Sequence, residues 1–139
     1  MFKSIAAAIF SLVVFSANAQ TPPDYFYKGE VLNHNLTFCI KKEDAIEILV
    51  AEKDKGFEAA RDVYMAIDEC NEVPVMGMIV GNVVFSVDVL RNKKAFSVKV
   101  VEILENDSGK VVAYFITSWN YFSKYQGDIR NAMPMGRLF

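Results

Sequence analysis

The stretch from Cys39 to Cys70 reads CIKKEDAIEILVAEKDKGFEAARDVYMAIDEC, and it decides the predicted fold. It holds both cysteines of the chain, and the residues Lys42 to Glu69 between them carry apolar side chains at helical spacing. One unbroken helix over this stretch would be about 42 Å long at 1.5 Å per residue. Because a disulfide needs Cα atoms roughly 4.4–6.8 Å apart, an unbroken helix and a Cys39–Cys70 bond exclude each other.

Gly56 removes this conflict. It follows a run of charged residues, as a glycine at a helix C-terminus commonly does, and it divides the stretch almost evenly. Two antiparallel arms of about 20 Å each would return Cys70 to the level of Cys39. The prediction is a disulfide-closed antiparallel helical hairpin, with a bond that stabilises the fold by roughly 3–4 kcal/mol. A redox-active pair is the alternative, but such chemistry generally uses CxxC spacing.

The chain begins like a secreted protein. Lys3 supplies a positive start, Ile5–Phe15 form an uncharged run, and Ala17–Ala19 make a small-x-small cleavage site. We therefore expect a signal peptide over residues 1–19 and a mature protein that is periplasmic or extracellular. Such a compartment is oxidising, and an even cysteine count there usually means a disulfide.

The composition bounds the class of protein. The chain has 139 residues, 53% of them hydrophobic and 23% charged, with a formal net charge of −2. These values predict a single domain and exclude a disordered acidic tail and a basic nucleic-acid-binding module. We place the domain at residues 36–125, after an extended N-terminal arm at 20–35 and before an irregular C-terminal tail at 126–139. No later apolar run is long enough to cross a bilayer, so we expect no stable membrane insertion after signal cleavage.

After Cys70 the sequence favours strands. Val, Ile, Phe and Thr dominate, and turn signals lie at Gly81-Asn82, Arg91–Lys94 and Asn106–Gly109. The predicted strands are Pro74–Val80, Val83–Leu90, Ala95–Glu105 and Lys110–Ser118. The predicted fold class is α+β, with the disulfide-closed antiparallel helical hairpin packed on a four-stranded antiparallel meander.

Side-chain alternation predicts the register of two of these strands. If Leu90 faces Ala95, the apolar side chains of both strands collect on one face of the sheet. The predicted pairs on that face are Val89–Phe96, Val87–Val98 and Phe85–Val100. The apolar phase shifts by one residue at Val100-Val101, and this shift predicts a β-bulge there.

The sequence offers little catalytic chemistry. His34 is the single histidine, and no GxSxG-like motif accompanies it. Zinc ligands are too few, and glycine-rich phosphate loops are absent from the sequence. We therefore predict no catalytic set, no metal site and no cofactor. Asp88 and Glu102, on neighbouring predicted strands, remain as candidates for a carboxylate pair, although Ser97 and Lys99 beside them favour an ordinary solvated surface.

Four aromatic residues follow the last predicted strand. They are Trp119, Tyr121, Phe122 and Tyr125. Tyr and Trp are favoured at interaction sites, so these four are the candidate partner-binding residues. The alternative is that they close one edge of the core, and the sequence leaves both interpretations open.

The order of features resembles a loose class of short, uncharacterised exported proteins of bacteria and their phages. The matching residues are Phe38-Cys39, Gly56 with Ala59-Ala60, Cys70, and Tyr114–Thr117. The resemblance spans about Phe38 to Thr117 and implies a periplasmic α+β domain without an established activity. Glu69 stands where such proteins often have a glycine before the second cysteine. The resemblance carries no functional residue over to this chain.

These features favour a non-enzymatic exported domain that binds an envelope protein or another partner, in a phage or host-defence context. The reasons are a disulfide-closed scaffold, an apolar strand at Val111–Ile116, clustered aromatics and no catalytic set. One alternative is a small cell-wall hydrolase that uses Asp88 and Glu102. Another is an inhibitor of an envelope enzyme. We expect no nucleic-acid partner, and the sequence does not indicate an oligomeric state.

Overall fold

The structure, a computed structural model, describes residues 25–125. The predicted signal peptide, the start of the predicted arm at residues 20–24 and the predicted tail lie outside the described residues. The elements in chain order are β1 (Tyr25–Tyr27), β2 (Val31–Cys39), α1 (Lys42–Lys55), α2 (Phe57–Ala66), β3 (Cys70–Arg91), β4 (Lys94–Leu104), β5 (Val111–Thr117) and β6 (Asn120–Phe122).

Four antiparallel strands form a closed barrel in the order β2-β3-β4-β5, with β5 returning to β2. β1 and β6 make a separate two-stranded parallel sheet. The barrel closes with only four strands because β3 is 22 residues long and pairs with a different neighbour along each half of its length. β3 pairs with β2 as far as Ile79, and from Ile79 onward it pairs with β4.

The predicted register between β3 and β4 is confirmed. The observed pairs include Leu90–Ala95, Val89–Phe96, Val87–Val98 and Phe85–Val100. Asn92 and Lys93 have φ of 54° and 67°, so the hairpin closes with two residues at positive φ, the backbone that suits strand twist. The register shift also lies opposite Val100-Val101 as predicted, but the extra residue belongs to β3, between Val83 and Phe85.

The predicted hairpin turn at Gly81-Asn82 is wrong, because β3 continues through it. A Cβ on Gly81 would lie 2.8 Å from the Cβ of Glu102, so only glycine fits where β4 approaches this closely. The Asn82 amide donates to Glu102 Oε1 at 3.0 Å. Gly81 therefore marks an irregular stretch of one bent strand, with register shifts on both sides of Val83, rather than a chain reversal.

The fourth barrel strand is β2, in a region that includes part of the predicted arm at residues 20–35. Leu32 and Leu36 are buried, and Val31, Asn33 and Asn35 between and beside them are exposed. This alternation is typical of a strand with one face on the core. The polar residues around His34 obscured this alternation in the sequence. The predicted meander therefore has the right number of strands, but it divides β3 into two strands and lacks β2.

The helices begin and end close to where the sequence predicts. α1 and α2 are separated by Gly56 alone, whose φ of 96° is a backbone conformation that glycine adopts without strain. The Gly56 amide donates to the Glu52 carbonyl at 2.9 Å and closes the last turn of α1. The predicted helix break is therefore confirmed.

The predicted disulfide-closed helical hairpin is wrong, because the bond joins two strands. Cys39 is the last residue of β2, Cys70 is the first of β3, and the two are register partners with Cα atoms 4.0 Å apart. Directly opposite residues on antiparallel strands lie close enough to bond. Strand pairing therefore brings the cysteines together, and both helices lie within the loop that the bond closes.

The barrel wall separates two apolar clusters. Successive side chains of a strand point to opposite faces, so Tyr114 and Ile116 pack on the first cluster and Phe115 belongs to the second. The first cluster lies between the helices and the wall, and its buried members include Ala45, Leu49, Ala60, Tyr64, Val89, Val98 and Val100. The second is covered by β1, and its buried members include Phe26, Leu32, Leu36, Val80, Val101 and Phe115.

Candidate functional site

A cleft of about 1160 Å³ lies beside the first cluster. Its lining includes His34–Thr37 of β2 and Ile116–Trp119 at and after the end of β5, next to the three register pairs that join these strands over Thr37–Cys39 and Tyr114–Ile116. Its apolar walls come from both helices, from the sheet and from the residues after β5. They include Ile48, Leu49, Phe57, Ala60, Phe96, Val98, Ile116 and Trp119.

Two aromatic rings of this cleft are only half covered. Phe57, the first residue of α2, is 48% exposed, and Phe96 of β4 is 39% exposed. Each ring belongs to an element whose other residues include buried ones. A mobile or unpacked element is therefore not the reason for the exposure of either ring. Exposed aromatic side chains around a concave apolar surface are typical of binding sites.

An ion pair closes one end of the cleft. Arg91 Nε donates to Glu52 Oε2 at 2.7 Å and Arg91 Nη2 donates to Glu52 Oε1 at 2.9 Å. This two-point contact fixes the orientation of the guanidinium plane relative to the carboxylate plane. Glu52 is buried, and the Arg91 guanidinium also lies 6.0 Å from the centre of the Phe96 ring. This pair fastens the end of α1 to the tip of the β3–β4 hairpin.

A second carboxylate lies near the other end of α1. Glu72 follows Cys70 closely on β3 and faces Thr37, and its Oε1 atom is buried without a hydrogen bond. Burial raises the pKa of the Glu72 carboxyl above its ordinary value. Burial, together with the nearby charge of Glu72, raises the pKa of Tyr64 to about 12. Both residues line the cleft, so it contains a carboxylate with unused bonding capacity.

His34 lines the same cleft from β2. Its ring lies 5.2 Å from Phe26 and 5.4 Å from Trp119, edge to face with both. The Nδ1 atom is buried and makes no hydrogen bond. The His34 ring is therefore packed among aromatic neighbours.

The four candidate partner-binding aromatics do not form one surface. Trp119 stacks on Phe26 at 4.8 Å and lines the cleft, and the Tyr121 hydroxyl donates to the Gly81 carbonyl at 2.7 Å. The Phe122 ring lies 5.2 Å from that of Tyr25, while Tyr125 is exposed and lies 5.0 Å from Tyr27. Trp119 is therefore the one member of this group that borders the cleft.

The structure keeps Asp88 and Glu102 apart. Asp88 faces Ser97, and Glu102 lies further along β4 where it accepts from the Asn82 amide. The five steps along β4 from Ser97 to Glu102 span about 17 Å at ~3.3 Å per residue, too far for a carboxylate pair. Burial lowers the pKa of Lys99, and the charge of Asp88 partly opposes this shift.

Reasoning from sequence missed four polar residues that line the cleft: Glu52, Tyr64, Glu72 and Arg91. A signal existed for Glu52, because it continues the buried stripe of α1 at helical spacing after Ala45, Ile48 and Leu49. A signal existed for Tyr64 as well, because it follows Ala60 by four residues on the apolar stripe of α2. No local signal existed for Glu72 and Arg91, because the contacts that define them join residues far apart in sequence.

A second apolar surface lies outside this cleft. It forms a shallow groove of about 400 Å³ over β2, β3 and β5, lined by Phe38, Ile40, Val73, Pro74, Met76 and Val112 among others. Met76 is 64% exposed. We refer to these six residues as the outer groove. It has no charged lining residue, in contrast to the cleft.

Over residues 25–125, no three His, Cys, Asp or Glu side chains are grouped so that they could hold a metal ion. In the same range, neither helix has the length and apolar character needed to cross a membrane. The chain matches no protein-family model, and no curated protein or solved structure is significantly similar to it.

Proposed function

We propose that this protein is an exported, non-enzymatic binding domain that receives a segment of an envelope protein in the cleft between its helices and its barrel. The main observation in favour of this proposal is the cleft. It is as large as the pockets that bind ligands in other proteins, roughly 300–1,000 Å³, and its apolar walls include two half-exposed rings, Phe57 and Phe96.

The charges in the cleft favour binding over catalysis. Glu52 is held by Arg91 in a two-point contact, so its oxygens are occupied. Asp88 and Glu102, the carboxylates of the alternative hydrolase, are on different parts of the barrel. What the described residues offer a ligand is therefore an apolar surface with the Glu52–Arg91 pair and the carboxylate of Glu72.

Two observations support export. The first nineteen residues have the pattern of a secretory signal, and the Cys39–Cys70 disulfide is the kind of bond that persists in oxidising compartments. The resemblance to short exported proteins of bacteria and phages also favours export and is part of this proposal. A phage or host-defence setting would supply an envelope protein as the partner.

The test is affinity capture with matched variants. The oxidised chain of residues 20–139 is immobilised and exposed to a detergent extract of envelopes from the cells that produce it, and bound proteins are identified by mass spectrometry. Phe57→Ala and Phe96→Ala remove cleft rings, and Met76→Ala removes an exposed side chain of the outer groove. The expected result is one protein captured by the unmodified chain and by Met76→Ala, and lost with either cleft variant.

Calorimetry with the purified candidate partner then measures affinity for each variant. We expect each cleft variant to weaken binding by at least ten-fold and Met76→Ala to leave it unchanged. Failure to capture a specific protein, or capture that depends on Met76 and not on the cleft rings, would overturn the proposed function.

A further inference from the structure

The cleft contains a carboxylate oxygen that the protein does not satisfy. Glu72 Oε1 is buried and accepts no hydrogen bond, although backbone and side-chain donors satisfy most buried acceptors in folded proteins. Glu72 lines the cleft together with Tyr64. A buried acceptor left without a donor destabilises the protein, so a ligand that brings a donor to Glu72 Oε1 would gain free energy by satisfying it.

We propose that the ligand enters with a cationic group, an ammonium or a guanidinium, which binds the Glu72 carboxylate beside Tyr64. This inference rests on the proposed binding function and names the chemistry that the cleft would recognise. It assigns Glu72 the role of the specificity-determining contact, with the apolar walls supplying contact area.

The other charged residues of the cleft are already engaged or lie elsewhere. Arg91 is bonded to Glu52, and Arg61 is paired with Glu58 at 3.1 Å. Lys94 belongs to the tip of the β3–β4 hairpin, which meets the end of α1, whereas Glu72 lies near the disulfide at its beginning. Among the lining residues within 25–125, Glu72 is therefore the anion with an unoccupied oxygen.

A cation fits this carboxylate better than a neutral donor does. Burial makes the charged form of Glu72 costly, as its raised pKa shows, and an opposite charge at close range restores that form. Hydrogen bonds between a cationic donor and a carboxylate are also stronger than those between neutral groups. The aromatic side chains around the cleft add a further favourable surface for an organic cation.

Small probes of matched shape test this inference without any partner. We choose 2-phenylethylamine, 2-phenylethanol and 3-phenylpropanoate, which share one ring and a short chain but differ in charge. Each is titrated into the isotope-labelled chain of residues 20–139, and amide shifts are followed by NMR. N-acetyl-lysine amide, added in a separate titration, presents the ammonium as a protein side chain would.

The matched variants are Glu72→Gln, which keeps the shape and removes the charge, and Glu47→Gln, which removes an exposed charge of α1. We expect the amine to shift the residues that line the cleft and to bind at least ten-fold more tightly than the alcohol or the carboxylate. Glu72→Gln should weaken amine binding at least ten-fold, and Glu47→Gln should leave it unchanged.

Three results would overturn the inference: equal binding of amine and alcohol, an unchanged affinity in Glu72→Gln, or no binding of either cation in the millimolar range. Tighter binding of N-acetyl-lysine amide than of 2-phenylethylamine would identify a partner's side chain as the source of the cation, and the reverse order would indicate a free amine. Amine binding with no captured envelope protein contradicts the proposed function alone. A captured protein whose binding is unchanged in Glu72→Gln contradicts the inference alone.

Discussion

Cys39 and Cys70 are register partners on adjacent antiparallel strands, and the bond between them fixes the root of the loop that contains both helices. Both sulfurs are fully buried. The bond thus attaches β2 to β3 where the helical segment begins and ends, and the Glu52–Arg91 pair attaches the end of α1 to the β3–β4 hairpin. The cleft lies between these two attachments.

Removal of the disulfide tests the first attachment. The bond closes a loop of 31 residues in sequence separation, so the double variant Cys39→Ala/Cys70→Ala should lose roughly 3–4 kcal/mol of unfolding free energy. Urea denaturation measures this loss. Because the bond is buried, mild reductant should leave it intact in the folded unmodified chain, as mass spectrometry after alkylation would show. A loss below about 1 kcal/mol contradicts a structural role.

Breaking the Glu52–Arg91 pair tests the second attachment. Arg91→Met leaves a buried carboxylate without its cation, and we expect a loss of about 2–3 kcal/mol, below the range for fully buried pairs because Arg91 is 36% exposed. Glu52→Met/Arg91→Met should recover most of that loss. The matched control is Arg61→Met, which breaks an exposed pair with Glu58 and should cost less than about 0.5 kcal/mol. Equal losses of unfolding free energy in Arg91→Met and Arg61→Met would contradict the prediction.

A methyl group at Gly81 tests the close approach of β3 and β4. Its Cβ would lie 2.8 Å from the Cβ of Glu102, so Gly81→Ala should destabilise the protein by about 1–3 kcal/mol. Asn82→Ala, at an exposed neighbouring position, is the control and should cost much less. Thermal unfolding monitored by circular dichroism measures both, and similar midpoints would show that the strands are not so close.

The pH dependence of stability tests the burial of Glu72. Since burial raises its folded-state pKa above the ordinary value near 4.5, the folded chain retains this proton when the unfolded chain has lost it. Stability therefore falls as pH rises from the ordinary value through the raised one, and the penalty persists above it. Glu72→Gln should be more stable than the unmodified chain at neutral pH, with the difference vanishing in acid.

Denaturant titrations from pH 4 to pH 8 measure this difference. Glu47→Gln, which alters an exposed carboxylate, should give no comparable trend. A Glu72→Gln variant that is less stable at neutral pH would mean that an unseen donor already satisfies this carboxylate.

Local patterns in the sequence predicted the local parts of the fold. The helix break at Gly56 and the register of β3 against β4 follow from glycine's backbone freedom and from two-residue alternation. The disulfide partners could also be identified, although the geometric reason was strand pairing rather than helix length.

Pairing between strands that are far apart in sequence could not be predicted from such local patterns. β2 pairs with β5 across most of the chain, and its polar stretch around His34 concealed the alternation of Leu32 and Leu36. The cleft depends on that pairing, since its lining comes from elements at both ends of the described chain. Its residues could be identified only once the barrel was closed.

The closed barrel also dictates an order of events during biosynthesis. β2 emerges early but needs β5, so the native topology has a high contact order and its closure must wait for residues near 117. Cys70 emerges only 31 residues after Cys39, long before that closure is available. Oxidation of this pair can hold β2 against β3 before β4 and β5 are available, which covers one edge of β2 early and leaves only the edge facing β5 to be paired at closure.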